Sequence, residues 1–208
     1  MSEILTHIGH SEKLFVMKIF ITVLVLIFSL QSGIKADDIR DFQIEGMSIG
    51  DSLLDYFSEE KIKSFENDYY PASKKLYIKY IFLPSFQIYE SVTVALKENS
   101  FKIYGLSGVI IMNDFDNCLE KKKEIINDIS STFSTQNIDR GTVKVQDLTD
   151  NSSIRNQTEL LLENDLGLFS VQCTDWSKKS EEKYGWSDNI SISVYSKEYE
   201  NFLRNEAY

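Results

Sequence analysis

Residues 76–112 read LYIKYIFLPSFQIYESVTVALKENSFKIYGLSGVIIM, and their spacing sets the fold class. Leu76, Ile78, Tyr80 and Phe82 alternate with Tyr77, Lys79 and Ile81. Pro84 separates this run from a second, in which Phe86, Ile88, Val92, Val94 and Leu96 share a face interrupted only by Glu90. Residues 97–100 (KENS) form a turn, and residues 101–112 make a third strand, loosened by Gly105 and Gly108. A side-chain period of two with short connections predicts an antiparallel meander with one covered face.

The element expected to cover that face follows at once. Asn113 or Asp114 can cap a helix over residues 114–133, with Asp116 in its first turn. Leu119, Ile126 and Phe133 recur every seven residues with Ile125 and Ile129 beside them, an apolar stripe of helical period. Lys121, Lys122 and Lys123 read as its solvated face. Upstream, Ser48 and Asp51 predict the start of a first helix whose apolar side is Ile49, Leu53 and Phe57. A second helical turn is expected from Ser58 and is closed by Tyr69, Tyr70 and Pro71. Downstream, strands are predicted over 142–145, 159–163 and 166–176, the last with Phe169, Val171 and Cys173 on one face. In residues 189–195, Ile190, Ile192 and Val194 alternate with Ser191, Ser193 and Tyr195, and a terminal helix over 196–204 turns Tyr199, Phe202 and Leu203 inward. Without a Pro- or Gly-rich linker or a repeat, the expectation is a single α+β domain over residues 37–208, its antiparallel sheet or sheets packed by helices.

Residues 17–36 read differently. Met17-Lys18 is a short basic start, residues 19–30 (IFITVLVLIFSL) are almost wholly apolar, and Ala36 offers a small residue before Asp37-Asp38. That order is a secretory signal peptide with cleavage after Ala36, and the apolar run is too short to span a bilayer. Residues 1–16 carry Glu3 and Glu12 and read as a non-native extension ahead of a true start at Met17. A long n-region using Lys13 and Lys18 is the alternative. The expected location is the periplasm or the exterior, with no stable membrane insertion after cleavage. In such a compartment the two cysteines, Cys118 and Cys173, read as a disulfide. A β-strand Cys173 facing the helix that carries Cys118 is a geometry a disulfide can bridge.

Composition narrows the chemistry. The net charge of −10 argues against nucleic acid and anionic lipid as partners. Both histidines, His7 and His10, precede the cleavage site, so the exported domain has no Ser-His-Asp or Cys-His nucleophile and no His-ligated metal. No phosphate-binding loop, dinucleotide fingerprint or G-x-S-x-G elbow occurs. No cofactor, metal site or catalytic residue is expected. Two acidic runs, Asp114-Phe115-Asp116-Asn117 and residues 147–151, have oxygen ligands but lack the spacing of a calcium loop and read as a helix cap and a polar turn. Trp176, Tyr184 and Trp186 lie close in sequence, together with Tyr69 and Tyr70, and form a candidate binding surface; the other reading is an aromatic plug closing the end of a small core.

The opening residues 42–54 (FQIEGMSIGDSLL), Asn117-Cys118 and the later Cys173-Thr174-Asp175-Trp176 resemble small, uncharacterised exported proteins of marine bacteria. That resemblance spans most of the exported chain and implies neither an activity nor site residues. Gly46-Met47-Ser48 before a three-stranded sheet is also similar, over a few residues, to small outer-membrane-assembly lipoproteins, from which this chain departs in lacking a lipid-attachment cysteine. The function expected is a non-catalytic binding or envelope-associated module, its partner a protein or small ligand of the cell envelope. The alternative is a carboxylate-dependent hydrolase, with or without calcium.

Overall fold

The last strand of the chain holds the sheet together. In the computed structural model, which describes residues 38–145 and 149–208, the first meander contains β3 (Asn67–Tyr69), β4 (Leu76–Ile81), β5 (Ser91–Lys97) and β6 (Ile103–Ile111). The second contains β7 (Thr135–Lys144), β8 (Ile154–Leu162) and β9 (Gly167–Asp175). β10 (Asn189–Ser196) inserts between them, pairing Ile192 with Gly108 of β6 on one side and with Val171 of β9 on the other. The result is one eight-stranded antiparallel sheet in the order β3-β4-β5-β6-β10-β9-β8-β7. The described residues belong to one compact unit, an antiparallel sheet packed by helices and richer in sheet than in helix. Among them no helix is long and apolar enough to cross a membrane. The expected extension, signal peptide and cleavage site, and Asp147, lie outside the described residues.

The segment expected to open with a helix folds otherwise. β1 (Gln43–Ile44) and β2 (Met47–Ser48) form a tight hairpin whose turn residues, Glu45 and Gly46, both take positive φ, 50° and 81°. Such a turn suits the twist of the flanking strands, and Gly46 supplies the left-handed conformation at no steric cost. Ser48 therefore sits in a strand; Asp51 accepts from the Ser48 N–H at 2.9 Å, as in one half of a capping box, but the Ser48 hydroxyl donates to the Phe42 carbonyl at 3.2 Å and caps no helix. The Glu45 carboxylate reaches across to accept from the backbone N–H groups of Gln87, Ile88 and Tyr89 at 3.0, 2.8 and 3.2 Å. This holds the loop before β5, so Phe86 and Ile88 lie outside the strand expected to contain them. The next helix, α1 (Glu59–Ser64), is capped by Ser58 as predicted but ends before β3, which places Tyr69 in the sheet opposite Tyr77. β7 is far longer than its predicted four residues, because its polar sequence TQNIDRGTVK pairs along the whole of β8 at the sheet edge.

Each face of the sheet has its own cover. The long helix α2 (Phe115–Thr132), capped by Asp114 with Asn117 N donating at 2.8 Å, lies against β8, β9 and β10. Its Cys118 is bonded to Cys173 of β9, with Cα atoms 5.9 Å apart. Phe42, Phe133 and Phe169 meet beside it, with ring centroids 4.9 Å (Phe42–Phe169) and 5.0 Å (Phe133–Phe169) apart. The N-terminal hairpin, Leu53 and Ile62 complete this core over β4, β5 and β6. One expectation fails here: Lys121 and Lys123 are exposed, but Lys122 is buried. It turns into the sheet because its Nζ donates to Thr158 Oγ1 at 2.9 Å and to Asn156 Oδ1, polar groups that an exposed β7 edge leaves available. Burial pushes its ammonium below the ordinary lysine value.

The second face is covered by α4 (Lys197–Asn205), which packs Tyr199 and Phe202 on Leu76 and Ala95. Gly105 and Gly108 do not loosen β6. Each leaves space for a tyrosine ring: a Cβ on Gly105 would stand 2.5 Å from Tyr199, and one on Gly108 would stand 2.4 Å from Tyr89.

Candidate functional site

The connection from β9 to β10 builds the aromatic corner. Ser177 caps the short helix α3 (Lys178–Tyr184), accepting from Ser180 N at 3.2 Å. This helix escaped the sequence reading because KKSEEKY has no apolar stripe. Gly185 ends it in the left-handed conformation and turns the chain back. Trp186 thereby lands between Tyr184 and Trp176, with its ring centroid 4.4 Å from each. The Lys183 ammonium stands 4.9 Å from the Tyr184 centroid. Trp176 N donates to Asp188 Oδ1 at 2.6 Å, joining the two ends of the connection, and Ser177 N donates to Ser153 Oγ at 2.9 Å, just ahead of β8.

The three residues singled out from sequence, Trp176, Tyr184 and Trp186, therefore meet, whereas Tyr69 and Tyr70 lie elsewhere, against Tyr77 and Phe202. Trp186 has the Tyr184 ring stacked on it and the Trp176 ring tilted against it at 44°, so it is not a free flat platform for a sugar. What the corner offers a ligand is edges: Trp186 is 38% exposed, and neither indole N–H donates to a group among the described residues. Beside it Asp175 has a carboxyl pushed above the ordinary range by burial and, second, by the charge of Asp188.

A second polar region lies next to the corner, on the face that carries α4. Register puts Arg155 opposite Thr174, which in turn pairs with Asn189. One row in from these, Gln157, Gln172 and Ser191 share the same face; a further row holds Glu159, Ser170, Ser193 and Ser107. Ser170, Ser191, Ser193 and Thr174 are as buried as the apolar core. Most of this floor is internally bonded: Gln157 Nε2 donates to Ser170 Oγ at 3.1 Å, and the Ser107 and Ser193 hydroxyls bond each other. Glu159 is held by Arg140 at 2.7 Å and Arg204 at 3.6 Å. Two atoms are left over. Among the described residues, Arg155 Nε and Ser191 Oγ are the buried side-chain polar atoms with no hydrogen-bond partner.

Sequence reasoning missed Arg155, although a signal was present: in residues 154–160 (IRNQTEL) Arg155, Gln157 and Glu159 alternate with Asn156, Thr158 and Leu160. Ser191 was placed on its face, but that face reads as solvated until the register sets it beside Gln172. Among the described residues no group of three or more carboxylates, thiols or imidazoles could hold a metal ion, and Asp114 serves as a helix cap, as the sequence suggested. The chain matches no protein-family model, no curated protein and no solved structure.

Proposed function

We propose that this is an exported, non-catalytic binding module of the cell envelope, locked by the Cys118–Cys173 disulfide, that takes its ligand on the hydroxyl- and amide-lined part of the second sheet face. The observation that carries this reading is the burial of Ser170, Ser191, Ser193 and Thr174 where apolar residues would be the stabilising choice. Hydrogen bonds within the floor offset part of that cost, and the part left unmet at Arg155 Nε and Ser191 Oγ is of the kind retained where it serves recognition. The disulfide and the signal-like residues 17–36 support export. Native mass spectrometry without reductant, on protein recovered from the envelope of its own cells, tests it. The expected species starts at Asp37 and is two hydrogens light. A chain that keeps residues 1–36 and carries two thiols overturns the export reading.

The Asp175–Asp188 pair favours a second reading, a carboxylate-dependent hydrolase in which the raised Asp175 is the proton donor. Turnover of a glycoside or ester that disappears in Asp175→Asn would replace the binding module with it.

A further inference from the structure

The two unpartnered atoms of the second face define what the site would take, an inference that rests on the binding-module reading. Arg155 makes no ion pair and no side-chain hydrogen bond among the described residues, although its Nε is buried. The residue as a whole is partly exposed, so the Nε edge is the part of the guanidinium left buried without an acceptor. The nearest acidic side chain on the adjoining rows, Glu159, is already shared by Arg140 and Arg204. Ser191, 4% exposed, presents a second unbonded group two strands away, about 10 Å across the sheet and about 7 Å along it. Between them lie Gln172 and Gln157, side chains that both donate and accept.

We infer that Arg155 and Ser191 mark a binding site for a small monoanionic carboxylate with a hydroxyl-rich body, a sugar acid in chemical class. The Nε edge of a guanidinium is a fork that fits two coplanar oxygens. One unpaired cation in a chain of net charge −10 matches one negative charge better than two, so a carboxylate is favoured over a phosphate. The serine and glutamine floor matches hydroxyls. Val143 and Ile111, 51% and 46% exposed, stand at the two ends of the Arg155 row.

Calorimetric titration of the oxidised protein with glucuronate, glucose and inorganic phosphate tests this. Glucuronate is expected to bind at least about tenfold more tightly than either of the others. Arg155→Gln is expected to abolish that preference, and Ser191→Ala to weaken glucuronate about threefold. Arg155→Met should melt no lower than the parent in the absence of ligand, because the buried Nε–H has no acceptor to lose. The inference is overturned if phosphate or glucose binds as well as glucuronate, if neither variant changes glucuronate binding, or if glucuronate does not bind at all. Should glucuronate fail while protein recovered from cells retains another small molecule, the binding module stands and the sugar-acid site falls. Protein that binds neither, and turns over a substrate through Asp175, removes both.

Discussion

The two faces of the sheet solve the burial problem in opposite ways. On the α2 face the strands contribute Leu160, Phe169, Val171, Cys173, Ile190, Ile192 and Val194, and a covalent bond joins the helix to the strand beneath it. The buried cations there have oxygen partners: Lys122 donates to Thr158 and Asn156, and Lys79 donates to the Phe65 carbonyl. On the α4 face the same three strands contribute Gln157, Ser170, Gln172, Ser191 and Ser193, beside a nine-residue helix, and Arg155 Nε has no partner among the described residues. The difference teaches that one face meets the polar needs of what it buries and the other leaves some of them unmet. Satisfied polar groups and close-packed apolar ones stabilise; buried groups left without partners are a cost retained where they do something else.

The largest expected effect breaks the stable face. Cys173→Ser removes a link across 55 positions, worth about 4 kcal/mol if the loop-entropy account holds, and should lower Tm by roughly 10 °C in thermal unfolding without reductant. An unchanged Tm would remove the disulfide from the list of what holds α2 in place. A smaller loss is expected on the α4 face. Gly105→Ala drives a methyl into the Tyr199 ring and should cost about 1–3 kcal/mol by denaturant unfolding, while leaving the thiol titre unchanged. Equal stability of that variant would mean α4 is free to lift, and that it contributes little to the second face.

The smallest effect lies at the corner and depends on pH. Because burial and Asp188 raise the Asp175 carboxyl, the folded state holds its proton more tightly than the unfolded chain does. Its favourable contribution is complete below the ordinary carboxylate range and is lost as pH rises through the raised folded value. Asp175→Asn is therefore expected to be slightly more stable than the parent at neutral pH, with the gain vanishing near pH 3. A gain that persists in acid would place its origin in packing instead of charge.

Much of the frame was legible in the sequence because it rests on local periods. The meander of β4, β5 and β6, the α2 stripe with its Asp114 cap, the inward row Phe169, Val171, Cys173, and the terminal helix all follow from spacings of two or of three to four residues. The candidate site was half legible. Trp176, Tyr184 and Trp186 could be nominated because they are close in sequence and of a type that seeks contact. Their mutual stacking could not, since it depends on the left-handed Gly185 turning the chain back onto itself. The helix expected at Ser48 failed for a related reason: a spacing of apolar residues does not reveal that Glu45 and Gly46 have already reversed the chain.

By itself the sequence determined that this protein is an acidic, antiparallel α+β domain with one disulfide and no histidine after residue 10. Local propensity and the period of apolar residues are properties of neighbours in the chain, and they are sufficient for that. Only the tertiary structure decided that β10 joins the two meanders, that Lys122 points inward, and that Arg155 and Ser191 are left unbonded on one face. Those outcomes depend on register between strands far apart in sequence, and a side chain's partners are set by what that register places across from it.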